Sequence, residues 1–159
     1  MKTAVVYYSF DGNCALVAKR LGSLLNADIV ALETADEKKR TGFAKYAWGG
    51  SQVIMRKKPA LRPYSFDPAA YDLIILGTPV WAGSPSPAIA SFLSQTKITG
   101  KRIALFVCHA GGRGKAMEKF EAMLPGNVIA GKIDFINPAR GDPEETLKKT
   151  AEWVKTIGG

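Results

Sequence analysis

Four consecutive apolar residues, Leu73-Ile74-Ile75-Leu76, leave no polar position to turn toward water. A strand written this way has to be covered on both faces, the condition of a central strand in a parallel sheet. Thr3–Tyr8, Asp28–Leu32, Ile103–Val107 and Val128–Ile136 supply four more short runs rich in β-branched residues, and longer stretches with helical spacing lie between them. After the first run, Cys14, Val17, Ala18, Leu21, Leu24 and Leu25 recur at i, i+3, i+4 and i+7, an amphipathic stripe. Ser86-Pro87 supplies an N-cap and a first-turn proline, and a further helix is expected after the fourth run, through about Met123. Asp142-Pro143-Glu144-Glu145 reads as cap, proline and capping-box glutamate for a last helix expected to bury Leu147, Ala151 and Val154. The alternation predicts an α/β fold, a three-layer doubly wound sandwich around a five-stranded parallel sheet. One domain spanning 1–159 is expected, since 47% hydrophobic residues suffice for a core without staples.

Several function classes drop out at this point. No apolar run approaches the roughly 20 residues that cross a bilayer, and the Met-Lys start lacks a small-residue cleavage site, so a soluble cytoplasmic protein without membrane contact is expected. Cys14 and Cys108 stand far apart and outside any CxxC spacing, which suggests two reduced thiols and neither zinc nor a disulfide framework. With His109 the only histidine, no histidine cluster holds a metal, and a Ser-His-Asp hydrolase would rest on that residue without a nucleophile elbow. The net charge of +8 is uneven: residues 38–66 hold eight Lys or Arg and no acid, and the other fourteen basic residues match the fourteen acidic ones. That segment is either a solvated face or a surface that steers partners. Phe43, Tyr46 and Trp48 among its cations would suit single-stranded nucleic acid, yet Phe43, Ala47, Gly50, Val53 and Ile54 read equally as an amphipathic helix or lid. No nucleic-acid partner is expected.

In doubly wound sheets, ligands bind beyond the carboxyl ends of the strands where strand order reverses. The loops after the first, third and fourth runs are therefore the ones to inspect. The first, Ser9-Phe10-Asp11-Gly12-Asn13-Cys14, runs straight into a helix, so its backbone N–H groups and the helix terminus suit a phosphate, although the same turn reads as a plain helix cap. It has neither the lysine of a Walker A loop nor GxGxxG, which favours a monophosphate. The second, Gly77-Thr78-Pro79-Val80-Trp81-Ala82-Gly83-Ser84-Pro85, holds a tryptophan badly placed for core packing and well placed to stack on a flat ring. The third, Cys108-His109-Ala110-Gly111-Gly112-Arg113-Gly114-Lys115, has three glycines in four positions, as where backbone approaches a ligand closely. Cys14 at a helix start is either a thiol of lowered pKa or a small residue in the place of a threonine.

Together these loops resemble the flavodoxin family, across nearly the full chain. The resemblance rests on Ser9-x-x-Gly12-Asn13 after the first strand, Gly77-Thr78-Pro79-Val80-Trp81 after the third and Gly111-Gly112 after the fourth. It implies strand order 2-1-3-4-5 and non-covalent FMN. Ser9, Asp11, Gly12, Asn13 and Cys14 would form the phosphate loop, and Thr78, Pro79, Val80, Trp81, Ala82, Gly83, His109, Gly111 and Gly112 the flavin contacts. Asp11 and Cys14 depart from the family's threonines, so Asp11 must face solvent or cap a backbone N–H. The third loop lacks the tyrosine that often sandwiches the ring, and its Arg113 and Lys115 would raise the second reduction potential relative to acidic flavodoxins. The implied function is electron transfer between redox partner proteins, which would dock on the basic 38–66 face, with no catalytic acid or base. An FMN-dependent NAD(P)H:quinone-type oxidoreductase is the rival reading.

Overall fold

The computed structural model describes residues 1–35 and 58–159. Most of the basic 38–66 segment, including Phe43, Tyr46 and Trp48 and the helix or lid read over Phe43 to Ile54, lies outside the described residues. The elements follow in order as β1 (Thr3–Tyr8), α1 (Asn13–Leu25), β2 (Asp28–Leu32), a 3-10 turn (Pro68–Ala70), β3 (Leu73–Trp81), β4 (Ser84–Pro85), α2 (Pro87–Gln95), β5 (Arg102–His109), α3 (Ala116–Ala122), β6 (Val128–Ile136) and α4 (Pro143–Ile157). The five long strands are parallel, in the order β2-β1-β3-β5-β6, which is the expected 2-1-3-4-5 when β4 is left out of the count. β4 is an addition, two residues paired antiparallel with the end of β3.

Two apolar clusters cover the two faces. Cys14, Val17, Ala18 and Leu21 of α1 pack with Trp153 and Ile157 of α4 over Val5, Ile75 and Phe106. Ile89 and Phe92 of α2 join Met117 and Phe120 of α3 over Val6, Ile74, Leu76 and Leu105. Alternate residues of β3 therefore bury in opposite directions, as the unbroken apolar run required.

Three expectations change. β3 continues past Leu76 to Trp81, taking in what read as the start of a loop, because Gly77 leaves room for Phe106: a Cβ there would lie 1.9 Å from that ring. Leu24 of α1 is exposed. In α4 the buried stripe is Thr146, Thr150, Trp153 and Ile157, and Leu147, Ala151 and Val154 are only half-buried. Thr150 Oγ1 donates to the Thr146 carbonyl at 2.7 Å, which removes the cost of burying a hydroxyl. Gly131 of β6 meanwhile makes room for Ile157, whose Cγ2 would stand 2.5 Å from any Cβ there.

Candidate functional site

The first loop leaves β1 at Ser9 and enters α1 through Gly12, whose φ of 92° forms the N-cap without a side-chain cap. A Cβ at Gly12 would meet nothing within 4 Å, so it is the left-handed backbone and not crowding that calls for glycine. Ser9 Oγ accepts from the Ala15 N–H at 3.1 Å and keeps its own proton to donate. Asp11 Oδ1 accepts from the Asn13 N–H at 3.4 Å, so Asp11 caps a backbone group, one of the two orientations open to it. Asn13 is buried, and its side-chain oxygen accepts from the Ala139 N–H at 2.9 Å, tying the β6–α4 connection to the start of α1. Cys14 lies beneath the loop, where burial first, and then the Cys108 side chain, push its thiol well above the ordinary value. Burial favours the neutral thiol, the reading of Cys14 as a small residue in the place of a threonine.

The second loop is a tight hairpin. Ala82 and Gly83 both have positive φ, 51° and 67°, between paired Trp81 and Ser84, the combination a two-residue type I′ turn demands. Turning back here folds Trp81 inward. It is 7% exposed, with Tyr8 and Phe10 edge-on at centroid distances of 5.8 and 5.7 Å. The tryptophan read as ill-suited to the core is thus a core residue, and exposed Ala82 forms the tip above it. Thr78 is fully buried: its hydroxyl lies 2.9 Å from Ser86 Oγ and accepts from the Ser86 N–H at 2.9 Å. It fastens the end of β3 to the α2 cap and does not reach the rim.

His109 ends β5 and is buried. Gly111 N–H donates to its Nδ1 at 3.1 Å, which leaves the ring proton on Nε2, 2.8 Å from Asp134 Oδ2. That hydrogen bond, above all, holds the Asp134 carboxyl below its usual range. Asn137 N–H donates to the His109 carbonyl at 2.8 Å. The third loop also presses backbone to backbone on the hairpin, since a Cβ at Gly114 would lie 3.3 Å from Gly83 Cα. Lys119 Nζ donates to Ser84 Oγ at 2.9 Å, and Arg113 faces Glu118 at 3.7 Å. Asp134, Asn137, Ser84 and Lys119 were missed from sequence. Asp134 alone left a signal, the one carboxylate of the fifth run in a chain with one histidine.

At the carboxyl edge the three loops converge. Asp11, Asn13, Pro79, Val80, Trp81 and His109 line one narrow crevice with Cys108, Ala110 and Asn137, of about 20 Å³, room for a single water. Above this floor the exposed residues are Gly12, Ala82, Ala110, Gly111 and Gly112. A rim of small residues and backbone lets a flat ring lie across the loops, while the positive end of α1 and the proton of the Ser9 hydroxyl face an anion at the loop. Among the described residues no group of three His, Cys, Asp or Glu is arranged to hold a metal, and no helix is long and apolar enough to cross a membrane.

The flavodoxin family model, described as Flavodoxin, matches residues 2–157. The chain belongs to the flavodoxin family. Among solved structures similar to this flavodoxin-family chain, a flavoprotein of Lactobacillus acidophilus crystallised in complex with FMN is 26% identical, with a TM-score of 0.73 over 84% of this chain and 92% of that one. A protein of Bacteroides eggerthii assigned provisionally as a flavoprotein is 21% identical, with a TM-score of 0.79 over 99% and 98%. Oxidised flavodoxin 2 of Bacillus cereus is 20% identical, with a TM-score of 0.62 over 99% and 98%. No curated protein matches the chain in sequence.

Proposed function

We propose that the chain holds FMN without a covalent bond and passes electrons between redox partner proteins. FMN is the cofactor of a flavodoxin-family chain, and the site suits it: the N-terminal end of α1 and the Ser9 hydroxyl for the phosphate, and the rim of Ala82, Gly83, Gly111 and Gly112 for the ring. When bound, FMN supplies the redox chemistry, and the protein's part is to hold and orient it.

The observation that carries the carrier reading over a reductase is the state of His109. The one imidazole of the chain has both nitrogens engaged, Nδ1 by Gly111 and Nε2 by Asp134. It is committed to shaping the third loop and offers no free nitrogen for proton transfer to a second substrate. The partners are redox proteins that meet the exposed rim, with the basic 38–66 segment assisting their approach. The test is anaerobic. FMN-loaded protein mixed with NADH or NADPH and a soluble quinone is expected to oxidise nicotinamide no faster than free FMN, while photoreduced protein hands its electrons to cytochrome c. Saturable, sustained nicotinamide oxidation would replace the carrier by the quinone reductase.

A further inference from the structure

The carboxyl edge of the sheet carries opposite charge on its two faces. α1 and α4 cover one face, α2 and α3 the other, and the chain leaving each strand turns toward the layer of the helix it feeds. On the α1–α4 side, the first loop brings Asp11, and the turn into α4, tied to α1 through the Ala139 N–H, brings Asp142, Glu144 and Glu145 against Arg140. On the α2–α3 side, the third loop and the start of α3 bring Arg113, Lys115 and Lys119 against Glu118. Arg113 faces that acid at 3.7 Å. Lys115 and Lys119 are exposed and have no ion pair among the described residues. The narrow crevice, with Asp11 and Asn13 on one flank and Val80, Trp81 and His109 on the other, marks the boundary. FMN held as proposed above sets its phosphate on the α1 side, and its roughly 1.5–2 negative charges sharpen the division.

An apolar residue stands within the positive flank. Ile136 ends β6 opposite His109 and is 62% exposed. Side chains alternate along a strand. Ile133 and Phe135 turn to the α1–α4 cluster, so Lys132, Asp134 and Ile136 turn to the other face, where Lys132 pairs with Glu121 of α3 at 2.7 Å. α3 is only seven residues long and leaves Ile136 open beside the third loop.

We propose that Arg113, Lys115, Lys119 and Ile136 form the docking surface for the electron-transfer partner, a redox protein whose contact face presents carboxylates around an apolar centre. The proposal rests on the carrier reading above and names the chemistry of its partner. The two flanks also fix orientation. A partner turned the wrong way sets its carboxylates on Asp142, Glu144 and Glu145, and like charges repel. The surface has the same sign as the basic 38–66 segment, so attraction from a distance and docking at contact select the same partner. Charges at the margin of an interface act mainly on the rate of association and its salt dependence, whereas an apolar centre acts on how long the complex lasts.

The test mixes FMN-loaded protein anaerobically with a reduced, acidic plant-type ferredoxin and follows flavin reduction by stopped flow. The flavin content of every variant is measured first and is expected to equal that of the wild type. The wild-type rate is expected to fall about tenfold between roughly 0.05 and 0.5 M salt. Lys115→Glu should slow transfer about fivefold at low salt and flatten that dependence. Lys97→Glu makes the same charge change at an exposed position before β5, at the opposite end of the sheet, and should slow transfer less than about twofold. Ile136→Ala should slow it about threefold at both salt concentrations. A rate unmoved by Lys115→Glu, or moved equally by Lys97→Glu, would overturn the docking surface and leave the carrier reading standing, as would an unchanged rate in Ile136→Ala. FMN-loaded protein that exchanges electrons with neither the ferredoxin nor cytochrome c would overturn the carrier reading itself.

Discussion

Ala82 is the most informative single position, because its conformation is costly and its side chain is exposed. It holds φ at 51° at the first central position of the hairpin, and Gly83 holds 67° at the second. A left-handed alanine costs roughly 1–2 kcal/mol. Asparagine tolerates that region, so Ala82→Asn is expected to recover about 1 kcal/mol. Ala82→Gly recovers the same strain but frees the unfolded chain by roughly 0.4–1 kcal/mol, which leaves a net gain of about 0.5 kcal/mol. Gly83→Ala is the mirror experiment. Its new Cβ would meet nothing within 4 Å, so the whole loss, roughly 1–2 kcal/mol, is conformational. With a urea m-value of about 2 kcal/mol/M, the unfolding midpoint should rise by roughly 0.5 M for Ala82→Asn and roughly half that for Ala82→Gly, and fall by at least as much for Gly83→Ala. Tryptophan fluorescence is a suitable probe, as Trp81 adjoins the turn. Midpoints at or below wild type for both Ala82 variants, with Gly83→Ala silent, would show that the turn is not type I′ and refute the account of why Trp81 folds inward.

Gly77→Ala is expected to destabilise by at least 3 kcal/mol, the severe end of overpacking, because its Cβ would lie 1.9 Å from the Phe106 ring; pairing it with Phe106→Leu should restore part of the loss in the same urea assay. Asp134→Asn removes a carboxylate that His109 holds below its ordinary value. Such a group stabilises fully above the unfolded carboxyl pKa of about 3.9 and ceases to do so as pH falls through its own lowered value. The variant should therefore lose about 1 kcal/mol at pH 7, a figure already reduced for a side chain 40% exposed, and show a flatter decline as pH falls below about 4; an unchanged acid limb would count against the His109–Asp134 pair. Trp81→Ala should cost roughly 3–5 kcal/mol as a core truncation and weaken FMN in the visible spectrum after desalting, because the hairpin under the ring loses its floor. Retained flavin bands of wild-type intensity would separate the ring site from this hairpin.

The strands and the helix starts were legible because they are local, whereas the strand order came with the family resemblance. Ser86 and Asp142 announce helix starts by side chains that reach three residues ahead, to the N–H groups of Ile89 and Glu145, and Leu73-Ile74-Ile75-Leu76 announces a buried strand by composition alone. What failed was decided across the chain. The α4 stripe turned because Gly131, on another strand, admits Trp153 and Ile157. β3 outran its apolar core because Phe106 needed the space over Gly77.

The site shows the same division, with a consequence for how its residues are assigned. Sequence singled out three loops that the fold brings together at one edge, yet it treated Thr78, Asn13 and His109 among them as ligand contacts. In the fold, Thr78, Asn13 and His109 spend their polar groups on Ser86, Ala139, Asp134 and Gly111. These bonds join loops far apart in sequence, and a buried polar group must find such partners before it can serve a ligand. The surface left for a flavin is then backbone and small side chains, Gly12, Ala82, Gly111 and Gly112, whose positions are set by residues the flavin need not touch. Substituting the buried set should therefore alter affinity through loop geometry and stability together.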